Sequence, residues 1–144
     1  MIFLKKVLYH ASSKQGMKKL SSKFNVSNSG DNLDKNWIYA INSQIGASLF
    51  GFSWDDTDGV ESGSMSYDGG KPEWYFTVPK KLVPKMKKPC SMYTITDTSS
   101  FIEVTNGLIG EYRSSKSSIL LQKEVKFKSA EACMKHFGVN IKVK

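Results

Sequence analysis

Residues 107–127 read GLIGEYRSSKSSILLQKEVKF: two apolar, β-like runs around a polar break. Other strand-like segments stand close by. EWYFTV (73–78) and CSMYTIT (90–96) read as strands, and SSFIEVT (99–105) as a strand or an extended loop. VNIKVK (139–144) is a final strand with alternating lysines. Strands therefore crowd the second half without regular strand–helix alternation. That pattern predicts an α+β fold with mostly antiparallel sheets packed together, not a doubly wound parallel sheet.

The first half is more mixed. IFLKKVLY (2–9) reads as a strand that ends at His10. SSKQGMKKLSSK (12–23) has helical spacing, with Ser12 or Ser13 as cap and Met17 and Leu20 on one face, although Gly16 weakens it. NVSNSGDNLDKN (25–36) is a polar loop, and NWIYAI (36–41) is the next strand. NSQIGASLF (42–50) predicts a helix capped by Asn42 or Ser43. Residues 53–72 are acidic, Gly-rich and loop-like, and PKKLVPKMKKP (79–89) is a basic loop or short helix. SAEACMKHF (129–137) is a short helix with Ser129 at its start and Gly138 at its stop. The total is about seven strands and three short helices. There are no repeats and no linker, so residues 1–144 read as a single domain.

The net charge is +8 and the pI about 9.4, which favours acidic partners such as nucleic acid or an acidic protein. Arg113 is the only arginine, so the Lys-dominated charge points to loose electrostatic attraction and disfavours direct base readout. Lys80, Lys81, Lys85, Lys87 and Lys88 form the densest basic run. It is either a solvated loop or a surface that draws in nucleic acid or an acidic protein through salt-sensitive contacts. Trp54 and Trp74 can add stacking to such a surface, and Trp37 reads as packing beside the Tyr39 strand.

Cys90 and Cys133 form neither a metal-ligand spacing nor a disulfide framework, which suits a reducing compartment. MIFLKK has the wrong order for a signal peptide, and no apolar run approaches membrane-span length. The expectation is a cytoplasmic protein with no membrane partner and no metal.

Several chemistries are disfavoured. There is no phosphate-cradling Gly-rich loop followed by Lys-Ser/Thr, and no G-x-S-x-G nucleophile elbow. The two histidines, His10 and His136, lie far apart with no His/Cys cluster, against a zinc site. Asp55, Asp56 and Asp58 lack the rest of a calcium loop. A carboxylate pair of the glycosidase kind is left open by spacing alone.

Three stretches place polar residues inside apolar runs: VLYHAS (7–12), WIYAINSQIGASLF (37–50) and GEYRSSKSSILLQKEVKF (110–127). Each alone reads as ordinary strand packing. Together they resemble the three ordered motifs of the diphtheria-toxin-like and poly(ADP-ribose) polymerase-like ADP-ribosyltransferases of the His-Tyr-Glu type. The first motif is an aromatic, His, a small residue and Ser. The second is a strand with Tyr39 running into a helix of small residues, with Phe50 eleven positions on. The third is Glu111 followed by an aromatic and an apolar strand. The chain also resembles a group of small bacterial and phage proteins built on the same plan.

The resemblance implies an ADP-ribosyltransferase-like fold that binds NAD in a cleft between two sheets. It implies that His10 bonds the adenine-side ribose, the Ala11 backbone holds the nicotinamide carboxamide, and Ser12 orders the loop or bonds the same carboxamide. Tyr39 would stack on the nicotinamide, with Phe50 on its other face. Glu111 would be the catalytic carboxylate, stabilising the oxocarbenium-like transition state. Arg113 would bind a phosphate of the cofactor or of a nucleic-acid target, or pair with an acidic side chain. Ala11 departs from the family's usual glycine. Ile109 stands where arginine-modifying members carry a second Glu or Gln, which disfavours arginine as the target. The implied function is mono-ADP-ribosyl transfer to a macromolecule. The alternatives are a binding protein of the same fold without useful turnover, and a basic nucleic-acid binder whose pocket is incidental.

Overall fold

A computed structural model of the chain describes residues 6–21, 37–66, 68–104 and 110–144. Its strands are β1 (Leu8–Ser12), β2 (Lys19–Ser21), β3 (Ile38–Ile41), β4 (Glu61–Met65), β5 (Glu73–Val78), β6 (Cys90–Ile95), β7 (Phe101–Glu103), β8 (Glu111–Ser114), β9 (Ser118–Leu120), β10 (Lys123–Phe127) and β11 (Asn140–Val143). The helices are short: α1 (Gln44–Ser48), α2 (Val83–Met86) and α3 (Ala130–His136), with 3-10 turns at Asp56–Asp58 and Lys80–Leu82. The class is α+β with mostly antiparallel sheets.

A six-stranded antiparallel sheet runs β10-β6-β1-β3-β8-β7. A second sheet runs β11-β5-β4, parallel between β11 and β5, and β2 pairs with β9 as a separate ribbon. Alternation sends successive side chains to opposite faces of the large sheet. On one face Leu8, Ile38, Ala40 and Ile95 pack with Leu20 and Ile119 of the ribbon. On the other, Ala11, Ile41 and Met92 pack with α1, α3 and the β5 residues Phe76 and Val78. Both sheets and all three described helices thus share one core, α2 through Met86.

Local sequence explains the helices that form. The Ser43 side chain caps α1 by accepting from the Gly46 N–H at 3.1 Å. Gly46, Ala47 and Ser48 are buried, and a Cβ at Gly46 would lie 2.8 Å from Ser43 Oγ and 3.0 Å from Ile41 Cγ2. Small residues let the helix approach the sheet closely. Ser129 caps α3 by accepting from Ala132 N–H at 2.9 Å, and Gly138 leaves the helix at φ +95°.

Over its described part, residues 12–21, the helix expected over 12–23 does not form. Gly16 has φ +78°, outside helical geometry, and the surrounding backbone is captured by β6 and β10. The Gln15 amide donates to Cys90 O at 3.0 Å, and Gly16 N–H donates to Glu124 Oε2 at 2.8 Å. Tyr93 Oη donates to Lys14 O at 2.7 Å and accepts from Met17 N–H at 3.1 Å. Leu20 is then buried in β2 instead of on a helix face. The Gly16 N–H and the Ser91 hydroxyl hold the Glu124 carboxyl below its ordinary range.

Two further differences concern strands. The Gly-rich stretch read as a loop contains β4, an edge strand whose Ser and Gly residues give no apolar alternation. The described part of the 107–127 stretch divides into β8, β9 and β10, three strands where two runs were expected. The polar loop expected over 25–36 lies outside the described residues.

Phe76 ties the second sheet to the rest. It is fully buried and meets Phe52 and Trp54 edge-on, at centroid separations of 5.8 and 5.6 Å. Phe76→Ala is expected to lower unfolding free energy by about 3–5 kcal/mol in urea denaturation, because the cavity cannot fully collapse between two sheets.

Candidate functional site

β1 and β3 pair at one position only, Tyr9↔Ile41, whereas β1 and β6 pair from Leu8↔Ile95 to Ser12↔Ser91. Beyond Tyr9 the two central strands part. The imidazole of His10 bridges the parting, its Nδ1 donating to Tyr39 O at 3.0 Å. A cleft of about 490 Å³ opens there. That volume falls within the range of small-ligand pockets.

The cleft is lined by Tyr9, His10, Ala11, Ser12 and Ser13 from β1 and its exit, and by Tyr39, Ala40 and Ile41 from β3. Ala47, Phe50, Phe52, Ser53 and Trp54 line it from α1 and the chain after it. Asp55, Asp58, Lys85 and Glu111 complete the wall. His10, Ala11, Ser12, Tyr39, Phe50 and Glu111, singled out from sequence, therefore come together.

Register explains how β8 delivers its carboxylate. Ile41 pairs with Glu111 and Tyr39 with Arg113, so these four side chains share one sheet face. Glu111 is a diagonal neighbour of Tyr39, a separation of roughly 7–8 Å between such strand positions. Gly110 sets the turn before it. Gly110 has φ +84°, its carbonyl accepts from Asn42 N–H at 2.9 Å, and a Cβ there would overlap Asn42 Oδ1. Only glycine fits.

Arg113 does not join the lining. Its guanidinium lies over the Trp37 ring, 4.1 Å from the centroid, on the side of Tyr39 away from Ile41 and Glu111. Of the basic run, Lys85 reaches the cleft. Lys87 pairs with Glu131 at 2.6 Å and Lys81 lies 3.9 Å from Asp58, while Lys80 and Lys88 are exposed outside it. Ile109 lies outside the described residues.

The ring chemistry of the site is specific. Burial lowers the His10 pKa below its ordinary 6.5, against the opposing pull of the Tyr39 carbonyl. A neutral ring whose Nδ1 donates to a carbonyl must carry its lone pair on Nε2, so His10 offers an acceptor. Tyr39 Oη is buried with no hydrogen-bond partner among the described residues. Phe50 stacks on Trp54, with centroids 5.3 Å apart and planes 10° apart, and Trp54 Nε1–H donates to Leu49 O at 2.8 Å. Trp54 thus belongs to the cleft wall and not to the lysine run. Trp74 packs on the main core beside Gly46.

Sequence reading missed Tyr9, Phe52, Trp54, Asp55 and Asp58 as lining residues. Phe50 and Trp54, four apart at the end of a predicted helix and just beyond it, were the available signal. The acids follow from a tight local turn. Asp55 accepts from Thr57 N–H at 2.8 Å and Asp58 accepts from Asp55 N–H at 2.9 Å. The Thr57 hydroxyl and N–H hold the Asp55 carboxyl below its ordinary range.

Among the described residues no helix is long and apolar enough to cross a membrane, and no group of three or more His, Cys, Asp or Glu side chains is placed to hold a metal. No protein-family model, curated protein or solved structure matches the chain.

Two outcomes are expected. Because folding depresses the His10 pKa, the unfolded chain binds the extra proton first. Stability is full above about pH 6.5 and falls as pH drops through the lowered folded value. Urea titrations at about pH 7.5 and 5.5 should show wild type losing more stability than His10→Gln. Gly110→Ala should cost about 1–3 kcal/mol of stability, read in the same titration.

Proposed function

We propose that this chain has an ADP-ribosyltransferase-like fold and is an NAD-dependent mono-ADP-ribosyltransferase acting on a macromolecular acceptor. The observation that carries this reading is the convergence of His10, Tyr39 and Glu111. Three residues from three separate segments meet in one cleft at the parting of two central strands.

The donor set fits NAD. His10 Nε2 accepts from a ribose hydroxyl while Nδ1 stays committed to Tyr39 O. The edge of β1 at Ala11 and Ser12, unpaired with β3, offers backbone groups for a carboxamide. Ala11 narrows that approach by one methyl relative to glycine. Tyr39 provides a stacking face, and its hydroxyl, which has no hydrogen-bond partner among the described residues, can bond a polar group of the ligand. Phe50, already covered on one side by Trp54, has its other side to offer.

NAD supplies the glycosidic bond to nicotinamide, whose cleavage leaves an electron-poor ribosyl carbon. Glu111 acts on that change by accepting a hydrogen bond from the 2′-hydroxyl. The ionised carboxylate then lies where positive charge grows, and its stabilising effect is confined to the transition state. Tyr39 and Phe50 orient the leaving ring, which cuts the entropic part of the barrier.

A second reading is capture of NAD or a partner without useful turnover. Arg113 over Trp37 favours it: among the described residues Lys85 is then the one Lys or Arg lining the cleft, against the carboxylates of Asp55, Asp58 and Glu111. A pyrophosphate gains less there than in a cation-rich site.

Nicotinamide release from NAD, measured with and without cell lysate, separates the two. Transfer predicts release that Glu111→Gln lowers by about 100-fold or more while the fold survives, and stimulation by lysate. Calorimetric NAD binding without release in either protein would leave capture. Neither binding nor release would end both readings.

A further inference from the structure

Away from the cleft, β10 and α3 bring together features that neither reading uses. Phe127, His136 and Phe137 form a closed ring cluster. Their centroids lie 5.3 Å (Phe127–His136), 5.8 Å (Phe127–Phe137) and 4.8 Å (His136–Phe137) apart. The undersides of Phe127 and Phe137 pack on the main core, while His136 is exposed. The platform is therefore anchored from below and open above.

Lysines flank it. β10, α3 and the residues between them (123–136) carry Lys123, Lys126, Lys128 and Lys135 against two carboxylates, Glu124 and Glu131. Alternation along β10 puts Lys123, Val125 and Phe127 on one face, and Val125 is itself 38% exposed. Lys128 follows the strand, Lys135 precedes His136, and Lys88 sits at the start of α3 through the Ala130 N–H donating to its carbonyl at 2.9 Å. Among the described residues Lys88, Lys123 and Lys128 make no ion pair.

Both carboxylates are engaged. Glu124 points to the opposite face, accepting from Gly16 N–H at 2.8 Å and the Ser91 hydroxyl at 2.6 Å. Glu131 lies 2.6 Å from Lys87 and 4.0 Å from Lys135.

We propose that this ring cluster and its lysines are a docking surface for single-stranded nucleic acid. Lysines neutralise phosphates without selecting sequence, and ring faces stack on bases that are not held in a duplex. An acidic protein would use the lysines but gain nothing from the rings. The site is separate from the cleft and does not depend on the NAD reading.

Fluorescence anisotropy of a labelled oligothymidylate and of a duplex of matched length, titrated with the full chain across salt concentrations, tests this. Wild type should bind the single strand more tightly than the duplex. Lys123→Gln combined with Lys128→Gln removes two phosphate contacts. It should reduce the slope of log affinity against log salt by about 1.4, at about 0.7 per contact. His136→Ala, at an exposed position, should weaken binding by about fivefold or more with little change in that slope. Lys71→Gln, at an exposed lysine outside the cluster, should change neither. Glu111→Gln should retain binding, which keeps this outcome independent of NAD turnover. The proposal fails if the single strand is not bound, if the duplex is preferred, or if His136→Ala binds as wild type does. It also fails if Lys80→Gln with Lys81→Gln abolishes binding that the β10 pair leaves intact.

Discussion

The contact on which the cleft depends is the bond from His10 Nδ1 to the carbonyl of Tyr39. Two adjacent strands that stop pairing leave backbone donors and acceptors without ladder partners, which costs free energy unless something else satisfies them. His10 satisfies one of those acceptors at the point where β1 and β3 separate. It thereby holds the strands apart at a fixed spacing, and its own burial keeps it neutral. The same bond fixes the tautomer, so the geometry of the parting and the chemistry of the ring are set together.

Around that parting, the elements carry distinct duties. β8 supplies Glu111 through register alone, since pairing Ile41 with Glu111 leaves no choice of face. α1 closes one wall because Gly46, Ala47 and Ser48 allow close contact. Phe76 braces the Phe52 and Trp54 wall from the second sheet. The cleft is thus built between elements whose packing is shared with the main core.

The class of the fold was legible because EWYFTV and CSMYTI carry their apolar and aromatic residues in short runs bounded by turns. Ser129 and Ser43 announced their helices through cap chemistry that is local. What was hidden was decided by distant partners. The helical spacing of Met17 and Leu20 lost to Gly16's backbone and to hydrogen bonds from β6 and β10. β4 is a strand because β5 offers an edge, and nothing in ESGSM says so. His10, Tyr39, Phe50 and Glu111 were each conspicuous as polar or aromatic residues at strand ends and in apolar runs, and they line one cleft. The aromatic wall behind Phe50 and the turn of Asp55 and Asp58 depended on packing that no motif encodes.

The position of β1 in the sheet also governs how the chain must assemble. β1 lies in the sheet interior, and its longest ladder is with β6, where Tyr9 meets Thr94. A ribosome adding about 5–20 residues per second needs roughly 4–17 s to make the stretch between those two residues. During that interval the apolar edge of β1 has no lasting cover, because its link to β3 is a single pair. Non-local pairing of this kind folds slowly, on the millisecond-to-second scale once the partners are present. The nascent chain is therefore exposed to mispairing until β6 emerges, and chaperone engagement during synthesis should concentrate on its first half.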